Sequence, residues 1–340
     1  MEYRILGRTG LKVSAIGIGT WQLSGPLIIG GQPDGFDDPG QDKVIDLIRA
    51  CGDLGINFID SAEIYGDGEG ERRIGEAIKG IRDQWILSTK FGWRLGKDGN
   101  RITNPSPDTI GRSLEGSLKR LQTDYVDIYL YHCHPDPNRI LEGREVLETL
   151  KQEGKIRFYG ISTYDHKVLG QLAAQNAAEV ILFEQSLLTY PSKMLNLVKE
   201  NNLGAIVRGA FKSGLLSGKY FHQKPQFSDQ DFRKHKFPLW DPQRCAVYKR
   251  FLPEGVPMTA FALRYLLDFD TTHTIVLGSR SIQNYRDALR VFELSPLDHK
   301  THEALHRVRQ QLFLGSLRRK IQHRVNGYLK RYVTIPVRIR

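Results

Sequence analysis

Short apolar runs alternate along this chain with longer stretches whose apolar residues recur at every third or fourth position. The runs read as strands and the stretches as amphipathic helices. Residues 3–6 and 11–13, on either side of GRTG, predict a small hairpin. SAIGIGT (14–20) predicts a strand, and a Gly-, Pro- and Asp-rich loop follows from about residue 24 to 40. Asp42 to Asp53 has helical spacing at Val44, Ile45, Ile48 and Cys51. Then come the strand NFID, a helix from Glu71 to Lys79 and the strand WILSTK. Ser106-Pro107 opens the next helix, whose apolar residues are Ile110, Leu114, Leu118 and Leu121. Serine suits the N-cap and proline the first helical position. The rhythm continues as YVDIYLY and Ile140 to Glu153, IRFYGIS and Lys167 to Gln175, VILF and Lys193 to Asn201. It ends with GAIVRG and a further helix, then TIVLG and Ile282 to Val291.

Strands that alternate with helices form a parallel sheet. Eight alternations in about 280 residues predict an α/β protein of the closed kind, a (β/α)8 TIM barrel. An open doubly wound sheet would show a G-x-G-x-x-G fingerprint where its first strand meets a helix. Here that strand ends in GIGTWQ, so the barrel is favoured.

Four polar residues break the apolar pattern at strand ends. Asp60 follows INFI, Tyr65 comes five residues later, Lys90 follows WILST and His132 follows VDIYLY. In a barrel, that end of the strands is where chemistry is done. Taken singly, these residues read as a cap, a half-buried ring, a surface lysine and a core histidine. Together, after the second, third and fourth strands, they read as one set. A phenol with a pKa near 10 can give a proton to a carbonyl oxygen. A nearby ammonium, Lys90, favours the phenolate left behind. Asp60 keeps Lys90 charged, and His132 can hydrogen-bond the carbonyl.

The blocks MEYRILGRTGLKVS, GINFIDSAEIYGDGEGERRIGEAI, ILSTKFG, SLKRLQTDYVDIYLYH and GKIRFYGIST resemble, in order, those of the aldo-keto reductase superfamily. The likeness runs over roughly residues 1–295, and is stronger to the bacterial and channel-subunit branches than to the vertebrate aldose reductases. It implies a barrel whose N-terminal hairpin closes the bottom, with a C-terminal helical extension. It implies NADPH-dependent reduction of a small aldehyde or ketone by the tetrad Asp60, Tyr65, Lys90 and His132. A second implied class is an NADPH-binding regulatory subunit with little turnover.

The resemblance also assigns cofactor residues. Gly19, Thr20 and Trp21 follow the first barrel strand. The family's Ser-Asn pair for the nicotinamide amide falls on Ser162 and Thr163. Its glutamine after the sixth strand falls on Leu182, and Gln185, three residues on, is the expected substitute. The residue stacked on the nicotinamide falls on Arg208, whose guanidinium can also lie on a flat ring. Phe211, Ser213, Gly214 and Lys219 match the segment over the pyrophosphate. Gly278, Ser279 and Arg280 match the adenosine-phosphate segment, with Arg280 a planar fork for a 2′-phosphate. The family's late asparagine against adenine falls on Ala288. Trp21, Trp93 and Tyr131 are expected to wall the substrate pocket, His134 reads as a loop residue, and the loops 24–40 and 221–243 are placed to reach over the pocket.

Composition narrows the classes. The chain has 340 residues, 40% hydrophobic and 26% charged, which suits a soluble globular protein. Its three cysteines, Cys51, Cys133 and Cys245, match no metal motif or disulfide framework. With no secretory pattern in MEYRILGRTG, the expected location is cytoplasmic. The net charge of +11 is concentrated: residues 316–340 hold eight basic and no acidic residues. The other residues carry 41 basic and 38 acidic groups, so no nucleic-acid partner is expected. The chain divides into a barrel, 1–315, and a basic tail, 316–340. In the tail, Leu317, Ile321, Val325, Leu329 and Tyr332 share one helical face. Such a segment either packs on the barrel or meets an anionic membrane or acidic protein; as an adaptor surface it forms a third functional class.

Overall fold

The structure is a computed structural model in which residues 1–132, 137–223, 225–236 and 242–314 are described. His134, Cys133 and the basic tail lie outside them. The strands, in chain order, are β1 (Tyr3–Ile5), β2 (Lys12–Ser14), β3 (Ile16–Gly19), β4 (Ile28–Ile29), β5 (Gln32–Pro33), β6 (Phe58–Asp60) and β7 (Ile86–Phe91). They continue as β8 (Trp93–Leu95), β9 (Arg101–Thr103), β10 (Val126–Tyr131), β11 (Ile156–Ser162), β12 (Val180–Glu184), β13 (Gly204–Arg208) and β14 (Thr274–Leu277). Eight of them, β3, β6, β7 and β10 to β14, form one closed parallel barrel. Around it run α1 (Gln41–Asp53), α2 (Glu69–Ile78), α3 (Pro107–Leu121), α4 (Pro137–Glu142), α5 (Arg144–Gln152), α6 (His166–Ala174) and α7 (Ser192–Glu200), then helices Met258–Leu267, Ile282–Leu289 and 299–314. None of the described helices is long and apolar enough to cross a membrane.

Two cores follow from the side-chain alternation of the strands. Phe58, Ile128, Leu130, Val180, Leu182, Ile206 and Val276 face inward and pack with Leu6, Leu11 and Val13 of the β1–β2 hairpin. That hairpin therefore stoppers one end. Arg4 fastens it, donating to the carbonyls of Thr272 at 2.6 Å and Leu267 at 2.8 Å. The intervening positions, such as Ile59, Tyr129, Ile181 and Val207, face outward into the larger core under the helices. The same alternation then settles which residues beyond each strand can face the open end.

The inside of β11 admits no side chain at one point. A Cβ on Gly160 would lie 1.8 Å from the Val180 carbonyl oxygen, on the neighbouring strand. Gly160→Ala should lower the unfolding free energy by about 1–3 kcal/mol, read as a lower urea midpoint at unchanged slope.

Local departures from expectation have local causes. The stretch 24–40 is not all loop, because Ile28–Ile29 and Gln32–Pro33 pair as a hairpin. The helix expected from Ile140 to Glu153 is broken at Gly143, where a Cβ would sit 2.2 Å from the Tyr131 hydroxyl. Ser106 is the N-cap residue of α3, yet its hydroxyl makes no capping bond. Thr109 bonds back to the Ser106 carbonyl instead, at 2.9 Å.

Candidate active site

A cavity of about 1110 Å³ opens at the C-terminal ends of the barrel strands. Inward-facing residues floor it: Gly19, Asp60, Lys90, His132, Ser162, Leu182, Glu184, Arg208 and Gly278. Tyr65 joins them from the loop after β6. The four residues singled out by the polar pattern thus meet in one place. Lys90 stands within β7 and Asp60 ends β6, while His132 is the first residue past β10.

Lys90 and Asp60 form a buried ion pair, with Nζ to Oδ2 at 2.7 Å and exposures of 1% and 4%. Lys90 also donates to the Ser61 carbonyl at 2.6 Å. Ser88 donates to the other Asp60 oxygen at 3.0 Å. The ammonium lies 5.1 Å from the centre of the Tyr65 ring. Tyr65 and His132 meet edge to face with centroids 5.7 Å apart. Trp93 backs the His132 ring at 4.4 Å, and Trp21 stacks with Tyr65 at 6.2 Å.

Burial dominates the electrostatics. It pushes the Asp60 carboxyl up, against the pull of Lys90. It also pushes the Tyr65 phenol up, with Lys90 opposing and Asp60 adding to the rise. Lys90 does favour the phenolate, as the residue pattern predicts, but desolvation outweighs it. The consequence is a phenol that is fully protonated at neutral pH, as a proton donor must be. Burial, then the charges of Lys90, Arg208 and Arg101, hold His132 well below its usual pKa. A neutral imidazole can serve as a hydrogen-bond partner without competing for the proton. Its Nδ1 is buried and has no partner among the described residues.

The outer wall is built from two hairpins. β4–β5 and β8–β9 are joined by the Gly30 N–H to Gly99 carbonyl bond at 2.9 Å and by the Asp34–Arg101 ion pair at 2.8 Å. Trp21 Nε1 donates to the Asp34 carbonyl at 3.1 Å. Trp93, Phe36 and Phe232 give this side an aromatic lining. Phe232 and Arg233 come from the long segment after β13, which the isolated bridge Gly35 to Asp231 ties to the β4–β5 region. Both loops named from the sequence therefore do contribute to the wall.

The other end of the cavity is polar. Phe211, Ser213, Gly214, Ser217 and Lys219 line one side, and Ser279, Arg280 and Asn284 the other. Lys219 and Arg280 have no acidic partner among the described residues. Arg280 donates only to the Asp37 carbonyl, at 3.2 Å, and Asn284 to Ser279 at 2.9 Å. Two exposed cations beside serine hydroxyls form a donor set suited to phosphate.

Three expected residues do not face the cavity, for one reason. Side chains alternate along a strand, so an odd step from an inward position points outward. Gln185, three past Leu182, is fully buried outside the barrel, where Thr272 donates to its Oε1 at 3.3 Å. Thr163, one past Ser162, is buried and accepts from the Asp165 N–H at 3.0 Å. Tyr131, one before His132, packs on Phe91 and donates to the Ile140 carbonyl at 3.2 Å. Ala288 is likewise core, and Asn284 reaches the cavity one turn earlier. The alternation also exposes a residue the sequence reading missed. Glu184, two past Leu182, faces in and pairs with Arg208 at 3.8 Å and with Lys212.

A barrel with acid–base groups gathered at the C-terminal ends of its strands is the arrangement of a TIM-barrel enzyme. The model of the aldo/keto reductase family matches residues 15–310, and the chain belongs to that family. It is 33% identical over 299 residues to the aldo-keto reductase YhdN of Bacillus subtilis, covering 82% of this chain and 85% of that protein. It is 29% identical to the NADH-specific methylglyoxal reductase of Escherichia coli, covering 86% and 94%. An aldo-keto reductase from Bacillus halodurans, solved in its holo form, superimposes with a TM-score of 0.76 at 30% identity, covering 91% and 96%. The family is one of oxidoreductases that act on carbonyl groups.

Proposed function

We propose that the cavity binds NADPH and that the protein reduces an aldehyde or ketone to an alcohol, with Tyr65 delivering the proton. The observation that carries this reading is the cluster of Asp60, Tyr65, Lys90 and His132 at one end of a cavity whose other end is cationic. The bound nucleotide supplies hydride chemistry. The chain supplies the rest. Tyr65, half-buried, stays protonated because desolvation outweighs the pull of Lys90, and so can donate to the carbonyl oxygen. Lys90, fixed by Asp60 and the Ser61 carbonyl, stabilises the phenolate as it forms. Neutral His132 orients the carbonyl. The aromatic wall keeps water from the reacting atoms.

Arg280, Lys219 and Ser279 support NADPH over NADH, since a 2′-phosphate needs charged donors. Arg280→Ala should raise KM for NADPH by about 10- to 100-fold, the loss expected for a hydrogen bond to a charged group. KM for NADH should change little. A wild-type enzyme with equal KM for both nucleotides would contradict this assignment.

A further inference from the structure

Glu63 takes no part in the chemistry above, yet it bonds the loop between Asp60 and Tyr65 to the strand end that carries Lys90. It is 7% exposed, in the loop between Asp60 and Tyr65. Its backbone N–H donates to the Lys90 carbonyl at 3.1 Å. Its Oε1 accepts from the Gly92 N–H at 3.0 Å and from the Ser113 hydroxyl at 3.5 Å. Gly92 turns the chain out of β7 with φ of +100°, a conformation suited to glycine. Immediately after it, Trp93 backs the His132 ring. Immediately before it, the Phe91 carbonyl accepts from the His132 N–H at 2.8 Å. One carboxylate thus joins the loop that bears Asp60 and Tyr65 to the segment that bears Lys90 and supports His132.

We propose that Glu63 is a positioning residue for the tetrad: its ionised carboxylate clamps the exit turn of β7 to the Asp60–Tyr65 loop, and its protonation loosens the clamp and lowers turnover. The inference rests on the functional reading above for its effect on rate, but not for the clamp itself. A buried carboxylate is a costly way to hold one amide. An ionised oxygen holds the Gly92 N–H about twice as strongly as a neutral acceptor would, so the charge is what calls for a role. Burial pushes the Glu63 carboxyl up to about 7, against the pull of the Gly92 N–H. Glu71 of α2 adds to the rise, while Ser113 of α3 and Arg94 of β8 pull it down. Tyr129 of β10 also feels the Glu63 charge. Glu71 is itself held by Arg120 at 2.7 Å and Thr89 at 2.6 Å. The clamp therefore changes state near neutral pH.

The sign for stability is opposite to that for activity. A carboxyl whose folded pKa is raised binds more protons folded than unfolded, so the fold loses stability as pH rises from the ordinary carboxylate range toward 7. Glu63→Gln should accordingly melt no lower than wild type at pH about 8, which separates a positioning effect from misfolding.

The test combines two readouts in the full-length protein. In wild type, kcat with NADPH and an aldehyde should fall as pH drops through about 7. In the cofactor-free protein, hydrogen exchange of the 88–95 segment, corrected for intrinsic rates, should lose about tenfold protection over the same range. Glu63→Gln should abolish both dependences with KM for NADPH changed less than about twofold. Glu63→Asp should retain them. A Glu63→Gln enzyme that keeps the wild-type pH limb, or wild-type exchange that ignores pH, overturns the proposal. Should wild type show no NADPH-dependent turnover, the functional reading fails, and the exchange result alone decides the clamp.

Discussion

Replacing Tyr65 with phenylalanine should lower kcat by about 10²- to 10⁴-fold, the usual worth of positioned acid catalysis. The substitution removes a single oxygen. The ring keeps its stack with Trp21 and its edge contact with His132, so the cavity keeps its shape. The Kd for NADPH should therefore change little, and the loss should fall on kcat and kcat/KM alike, as for an interaction made only in the transition state. Tyr65 is the one group here that is both a proton carrier at neutral pH and close to an ammonium that can stabilise its conjugate base. His132 cannot substitute, because burial and the neighbouring cations hold it neutral. Rates equal to wild type in the phenylalanine variant would remove Tyr65 as the donor.

Lys90→Met should be the more damaging change, because it strikes stability and chemistry together. Asp60 would be left 4% exposed with only the Ser88 hydroxyl for company. Breaking a buried pair in this way costs about 3–5 kcal/mol. The cost should depend on pH in a stated direction. Without the ammonium, the Asp60 carboxyl rises further above its unfolded value, so the folded state binds the extra proton and stability falls as pH rises. The variant should thus be closer to wild type in urea at pH about 5 than at pH about 8. Turnover should fall by at least about 10²-fold at either pH, since the phenolate loses its cation. A Lys90→Met protein with wild-type stability at pH about 8 would show that the pair is not the electrostatic centre of the site.

How far the sequence could be read depended on which physical signal each feature leaves. The barrel was legible because eight inward–outward strands need near-continuous apolar runs, and VDIYLY, VILF and TIVLG supply them. The tetrad was legible because Asp60, Lys90 and His132 are polar where those runs end. The other cavity-lining positions were harder, since they depend on strand parity as well as residue type. Gln185 and Thr163 are plausible by chemistry but sit an odd step from the inward positions Leu182 and Ser162, and so face the helices. Applying the alternation would have pointed to Glu184. Gly143 shows a different limit. At the break between α4 and α5, a Cβ on residue 143 would meet the Tyr131 hydroxyl, a contact between segments that no local pattern reveals. Glu63, flanked by apolar residues in AEIY, looks like an ordinary loop acid until its bond to Gly92 is seen.

Hydride transfer from a nicotinamide nucleotide to a carbonyl carbon in this cavity is the step on which the proposed function stands. Its most direct test is a turnover of the wild-type protein with NADPH carrying two deuterons at C4 and a simple aldehyde, followed by mass spectrometry of the product. The expected product is an alcohol with one deuterium on its carbinol carbon, formed in step with NADPH oxidation. An alcohol without deuterium, or an aldehyde left unreduced while the nucleotide stays intact across an aldehyde panel, would contradict it.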